Sequence, residues 1–223
     1  MITVIVAAAG TGSRMNHKLK KQFIELDGVP ILVRTLRSFD FNLIDEVIVV
    51  TSEEDVVEIE KMVLEYSIGN VKKIVVGGKR RQDSIYNGLK QTSGKIVLIH
   101  DGARPFVTKE MILEHIEKDH SICGWISAVP SKDTIKIVRE GFVEETLDRS
   151  LLYNAQTPQS FDVETLKAAY DYAYEHQLIV TDDASVYEAY GQSVGIINGR
   201  YENIKITTPE DLSIGEYLIK TDS

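Results

Sequence analysis

Short apolar runs and longer amphipathic stretches alternate along the chain. Residues 2–6, 45–51, 71–76, 95–99 and 124–129 have the length and β-branched content of strands, and the run Ile2-Thr3-Val4-Ile5-Val6 suits a strand covered on both faces. Helix-length segments stand between them at 30–39, 52–66, 80–91 and 108–120. Pro30 suits a first helical turn, and Ser52 with Asp55 three residues on reads as an N-terminal cap. This alternation predicts an α/β fold, a Rossmann-like, mostly parallel sheet flanked by helices. The rhythm breaks at 134–147, where period-2 alternation surrounds Arg139-Glu140-Gly141 and predicts a β-hairpin. A helix over 162–176, a short helix after Thr181 and a strand over 193–197 follow, before a last helix announced by Thr208, Pro209 and Asp211. With no repeat, low-complexity segment or linker, residues 1–223 read as one domain from which 131–152 protrude as an arm.

Ligands of open α/β sheets bind at strand ends, and the first strand ends unusually. After it come Ala7, Ala8, Ala9, Gly10 and Gly12, then Arg14, Lys18, Lys20 and Lys21 with no acidic residue until Glu25. Small residues permit close approach, and free amides followed by cations suit a polyphosphate. A dinucleotide fingerprint is excluded because Met15 stands where its third glycine belongs and Thr51, not an acid, ends the second strand. A P-loop is excluded because Met15-Asn16-His17 replaces its Gly-Lys-Ser/Thr. A glycine turn beside a solvated basic surface is the plainer alternative.

Two further strand ends carry candidate chemistry. Gly77-Gly78-Lys79-Arg80-Arg81-Gln82-Asp83-Ser84 enters a helix with free amides and cations, or is a tight turn with solvated side chains. His100-Asp101-Gly102-Ala103-Arg104 places an acid at the end of a buried strand, where it needs a cation or a metal; Arg104 can be a purely structural partner. Asp182 and Asp183, following Thr181, begin a helix more simply than they bind a metal.

Composition narrows the reading. A net charge of −9 argues against nucleic acid, so an anionic ligand must be held by local cations. Cys123 is the single cysteine, which rules out a disulfide framework and fits a reducing cytoplasm. No signal-peptide pattern and no apolar run of membrane length is present, so a cytoplasmic protein without a membrane partner is expected.

The stretch from Ala8 to Met15, with Lys21-Gln22 downstream, resembles the signature of sugar-phosphate nucleotidyltransferases, and most of all the 2-C-methyl-D-erythritol 4-phosphate cytidylyltransferase family. His100-Asp101-Gly102-Ala103-Arg104-Pro105 matches that family except at Gly102. Lys132-Asp133-Thr134, Asp148-Arg149, Gln156-Thr157-Pro158-Gln159, Thr181-Asp182-Asp183-Ala184-Ser185 and Asn203-Ile204-Lys205 follow in the family's order. The resemblance implies transfer of a cytidylyl group from CTP to a polyol phosphate. Arg14 and Lys21 would act on charge at the α-phosphate, and Arg149 and Lys205 would hold the acceptor phosphate. Ala8, Ala9, Gly10, Gly12, Gly78 and Ser84 would bind the nucleotide. Asp101, Arg104, Thr134, Thr157 and Thr181 would form the acceptor side, with Mg²⁺ near Asp101. The resemblance further implies a homodimer formed through the arm, each chain lending Arg149 to the other. Lys79 stands where many members carry an acidic or small residue, and it receives no role. A ribitol 5-phosphate cytidylyltransferase and a non-catalytic nucleotide-binding regulator remain alternatives.

Overall fold

The computed structural model describes residues 1–10 and 20–221. Strand β1 (Ile2–Ala7) is followed by a two-stranded turn, β2 (Glu25–Leu26) and β3 (Val29–Pro30), which delivers the chain into helix α1 (Ile31–Ser38). Next come β4 (Glu46–Thr51), α2 (Val56–Glu65), β5 (Val71–Val76), α3 (Arg81–Leu89), β6 (Ile96–Asp101), α4 (Lys109–Glu117) and β7 (Gly124–Pro130). The arm is β8 (Lys136–Arg139) and β9 (Phe142–Thr146), after which β10 (Tyr153–Asp162), α5 (Val163–Glu175), α6 (Asp183–Ala189), β11 (Val194–Asn198) and α7 (Pro209–Thr221) complete the fold.

Seven strands form one sheet in the order β11-β7-β10-β6-β1-β4-β5, with β10 antiparallel to both neighbours and the remaining pairings parallel. Side chains of β1 serve both layers: Val4 and Val6 pack with α1 and α4, while Ile5 joins Ile85 and Leu89 of α3 and Tyr170 of α5. Val4, Ile5 and Val6 are fully buried, each stabilising the fold by about 1.5–3 kcal/mol. The strand order reverses at β1: β4 and β5 follow on one side of it and β6 on the other. The C-terminal ends of β1 and β6 therefore open on a crevice.

Several boundaries differ from the sequence reading for physical reasons. Pro30 precedes α1 rather than filling its first turn. The Ser52 hydroxyl donates to Asp55 at 2.6 Å and accepts Lys20 Nζ at 3.2 Å instead of a backbone amide, so it caps nothing; a 3-10 turn (Glu53–Asp55) comes before α2. The largest omission is β10, whose Tyr-Asn-Ala-Gln-Thr-Pro-Gln-Ser lacks an apolar rhythm and contains proline. The proline is tolerated because pairing with β7 shifts register between Ala155 and Gln159. The expected β-hairpin is present, turning through Glu140 and Gly141 at φ 51° and 85°.

Candidate active site

The crevice holds two adjoining cavities. The larger, about 300 Å³, is lined by Ala7, Ala9 and Gly10 from the end of β1, by Gly78, Lys79, Arg80, Arg81 and Ser84 between β5 and α3, and by Asp101, Ala103 and Lys205. The smaller, about 170 Å³, is lined by Arg104, Ala155, Gln156, Thr157, Gln159, Thr181 and Asp182. Arg81, Asp101 and Lys205 line both, so these three side chains are the common wall.

Close packing dictates the shape of the larger cavity. A Cβ on Gly78 would collide with Asp83, and one on Gly77 would come within 2.7 Å of Ser84 Oγ and 3.0 Å of the Ala9 methyl. Glycine lets α3 approach the end of β1 this closely. Ser84 Oγ accepts the Gly78 amide at 3.0 Å and lies 3.1 Å from the Arg80 carbonyl, so its hydroxyl also holds the turn that forms the wall. Ala8 differs from its neighbours: it is buried and its amide donates to the Val50 carbonyl at 2.7 Å, so that amide is not free for a ligand. Gly12 and Arg14 lie outside the described residues. Lys21 opens a 3-10 turn (Lys21–Phe23), and its side chain likewise lies outside what is described.

Asp101 organises the common wall. Lys205 Nζ donates to its Oδ2 at 2.9 Å, Arg104 Nε lies 3.4 Å from the same oxygen, and Arg81 Nε lies 3.8 Å from Oδ1. The distances rank them: Lys205 makes a charge-assisted hydrogen bond, whereas Arg81 contributes mainly through charge. Burial would raise the carboxyl's pKa, but Lys205, Arg81 and Arg104 outweigh it and hold Asp101 well below the usual carboxylate range. With three cations around one carboxylate, the wall is net positive and ready for further anionic oxygens. His100, next in the strand, is fully buried between Thr157 Oγ1 and the Arg104 carbonyl. Burial lowers its pKa to about 4, so it is a neutral packing group at neutral pH.

Polar side chains of β10 hold the wall in place. Thr157 Oγ1 accepts the Asp101 amide at 3.1 Å. Asn203, fully buried, donates to the Thr157 carbonyl at 2.9 Å, and its own carbonyl receives Arg104 Nη1 at 2.7 Å; this fixes the segment that carries Lys205. Gln159 donates to Asp182 and accepts the Ala184 amide, binding the start of α6 to the sheet. Asp182 caps α6 through the Ser185 amide, as the sequence predicts. Asp183 is fully buried, accepting Arg81 Nη2 at 2.7 Å and the Tyr170 hydroxyl at 2.6 Å.

The sequence-predicted residues thus separate into two sets. Ala9, Gly10, Gly78, Ser84, Asp101, Arg104, Thr157, Thr181 and Lys205 meet at the crevice. Thr134 and Arg149 line neither cavity; both are exposed at the base of the arm, where Arg149 donates to the Lys132 carbonyl. Sequence reasoning missed Arg81, Gln159 and Asp183 as partners in the wall. The basic string at 79–81 was the available signal for Arg81, but nothing in it distinguishes Arg81 from its solvated neighbours. No cage of three or more His, Cys, Asp or Glu exists among the described residues, and none of their helices is long and apolar enough to cross a membrane.

The 2-C-methyl-D-erythritol 4-phosphate cytidylyltransferase family model, IspD, matches residues 2–221. The chain belongs to this family. The Clostridioides difficile (strain 630) protein of that name is 46% identical, the match covering 100% of this chain and 95% of the relative. The Bacillus mycoides counterpart is 44% identical over 98% of each. Among solved structures, 4-diphosphocytidyl-2C-methyl-D-erythritol synthase from Anaerococcus prevotii superposes with a TM-score of 0.87 at 35% identity, covering 98% of this chain and 96% of that one. The cytidylyltransferase fold therefore extends to this chain.

Proposed function

We propose that this protein transfers the cytidylyl group of CTP to 2-C-methyl-D-erythritol 4-phosphate and releases pyrophosphate. The observation that carries the reading is the common wall: Arg81, Asp101 and Lys205 border both cavities, so two anionic ligands can meet there. CTP occupies the larger cavity, its base against the Gly78–Ser84 turn and the backbone of Ala9 and Gly10. The acceptor occupies the smaller one, against Thr157, Thr181 and Arg104.

An acceptor phosphate oxygen attacks the α-phosphorus, a new P–O bond forms, and the bond to the β-phosphate oxygen breaks so that pyrophosphate leaves. The attacking monoester is already anionic at neutral pH, so no general base is required. What the chain supplies is alignment and charge stabilisation. Lys205 steers the acceptor phosphate, its Nζ anchored by Asp101. Arg14 and Lys21 act on charge developing at the α-phosphate.

Mg²⁺ fits this site in a limited way. Asp101 Oδ2 is occupied by Lys205 and Arg104, while Oδ1 has Arg81 no closer than 3.8 Å. One free carboxylate oxygen plus substrate phosphates is a common Mg²⁺ environment. Asp101 would be the residue that holds the ion, and the ion would supply positive charge against the nucleotide phosphates.

The arm supports a homodimer. Phe142 is 78% exposed and Val143 60%, apolar surface that an isolated hairpin cannot cover, and a two-fold pair of arms would bury it. Arg149 of the partner subunit would then complete the acceptor site.

The deciding experiment is pyrophosphate release with CTP or UTP and either methylerythritol 4-phosphate or ribitol 5-phosphate. Turnover selective for CTP and methylerythritol 4-phosphate is expected. Equal kcat/KM for the two acceptors, or no turnover with either, would overturn the proposal.

A further inference from the structure

Asp55 sits at the end of the 3-10 turn that follows β4, is 7% exposed, and belongs to neither cavity. Three donors converge on its carboxylate. Lys20 Nζ reaches both carboxylate oxygens, at 2.9 and 2.8 Å; Gln22 Nε2 reaches Oδ2 at 3.1 Å; and the Ser52 hydroxyl donates to Oδ2 at 2.6 Å. Lys20 is also bonded to Ser52 Oγ and paired with Glu54. Among the described residues, every side-chain hydrogen bond of Lys20 and Gln22 ends in the segment 52–55.

The residue between those two is Lys21. Its backbone lies in the turn closed by the Phe23 amide on the Lys20 carbonyl at 3.0 Å. Both of its neighbours are tied by side chain to one buried carboxylate 33 residues beyond Gln22. From these contacts we infer that Asp55 is a positioning residue that fixes the backbone of Lys21 relative to the ends of β1 and β4. The inference rests on the role assigned to Lys21 in the proposed function.

The physical reason is that a cation stabilises a transition state only if it is already placed when charge develops. Lys21 follows the sequence Gly10-Thr11-Gly12 within eleven positions, and a misplacement of a catalytic group by about 1 Å can cost on the order of 10²-fold in rate. A carboxylate shared by the residues before and after holds the backbone from both sides. Burial disfavours the Lys20 ammonium, but Asp55 and Glu54 outweigh it and raise its pKa, so the tie persists through neutral pH.

A double-mutant cycle tests this, with kcat read from single turnovers and folding from thermal melting. Asp55→Asn keeps shape and removes charge; it should lower kcat about tenfold or more with little change in KM for the acceptor. In a Lys21→Ala background the same substitution should change kcat less than about twofold, because the residue through which it acts is gone. Lys20→Gln, at a partly exposed position, should show the same dependence on Lys21 with a smaller loss, and it decides the matter if Asp55→Asn melts far below wild type. Losses that multiply in the double variants, or wild-type kcat in both single variants, would overturn the inference. If Lys21→Ala alone kept wild-type kcat, the role assigned to Lys21 would fall. An inactive Lys21→Ala beside a fully active, folded Asp55→Asn would sink only the positioning role.

Discussion

Asp101→Asn tests the common wall most directly. The substitution preserves shape but leaves Lys205 and Arg104 facing one another without a carboxylate, while Arg81 keeps Asp183 at 2.7 Å. Breaking a buried ion pair costs about 3–5 kcal/mol. Here the Lys205 and Arg81 side chains are 34% and 31% exposed and can turn partly to water, and only Lys205 is within good hydrogen-bond distance. A loss of about 2–3 kcal/mol is therefore expected, close to one charge-assisted hydrogen bond. For a chain of this size that lowers Tm by roughly 5–10 °C. Melting should be followed with and without CTP or pyrophosphate. Anionic phosphate oxygens can replace the missing carboxylate, so ligand should recover more Tm in the variant than in wild type. The pH dependence has a definite sign. The folded pKa of Asp101 is depressed, so its contribution is present above the ordinary carboxylate value near 4 and is lost as pH falls through the lower folded value. The gap between wild type and variant should narrow below about pH 4. A Tm change under about 1 °C at neutral pH, or equal recovery by ligand, would show that the three cations do not depend on Asp101.

Two further outcomes follow from other parts of the molecule. His115 is fully buried between Ser160 and Ser127 and its pKa is lowered to about 3 by burial, so the unfolded chain binds a proton there that the fold excludes. Its contribution is complete above the unfolded value near 6.5 and shrinks as pH falls toward 3, by up to about 1.4 kcal/mol per pH unit. Urea unfolding of His115→Gln from pH 6.5 to 4.5 should give a shallower slope than wild type, and parallel slopes would refute this. For the arm, Arg149→Ala and Lys205→Ala should each be inactive and dimeric, yet regain up to about a quarter of wild-type activity after subunit exchange, because half the dimers are mixed and each has one intact site. No recovery despite demonstrated exchange would mean that Arg149 serves its own chain.

The parallel half of the sheet was legible residue by residue, because a strand buried on both faces leaves a local record in β-branched runs, here at Ile2, Val47 and Val97. The arm was legible for the same reason, its alternation and Glu140-Gly141 turn being local. The glycines, cations and Asp101 of the crevice could be proposed because they sit at strand ends, and strand ends follow from the strands. What sequence alone left open is everything that depends on distant residues meeting. β10 carries no apolar rhythm because its side chains are satisfied by other elements: Thr157 by His100 and Asp101, Ser160 by His115 and His120, Gln159 by Asp182. Arg81 differs from Arg80 only in that the fold brings Asp101 and Asp183 beside it, whereas Arg80 finds Asp83 on its own helix. Asp55 read as part of a helix start and proved to hold Lys20 and Gln22 instead. A polar side chain's partner is chosen by tertiary proximity and by the cost of leaving it buried and unpaired. Periodicity along the chain therefore records where the core lies, whereas the fold alone decides which polar groups meet.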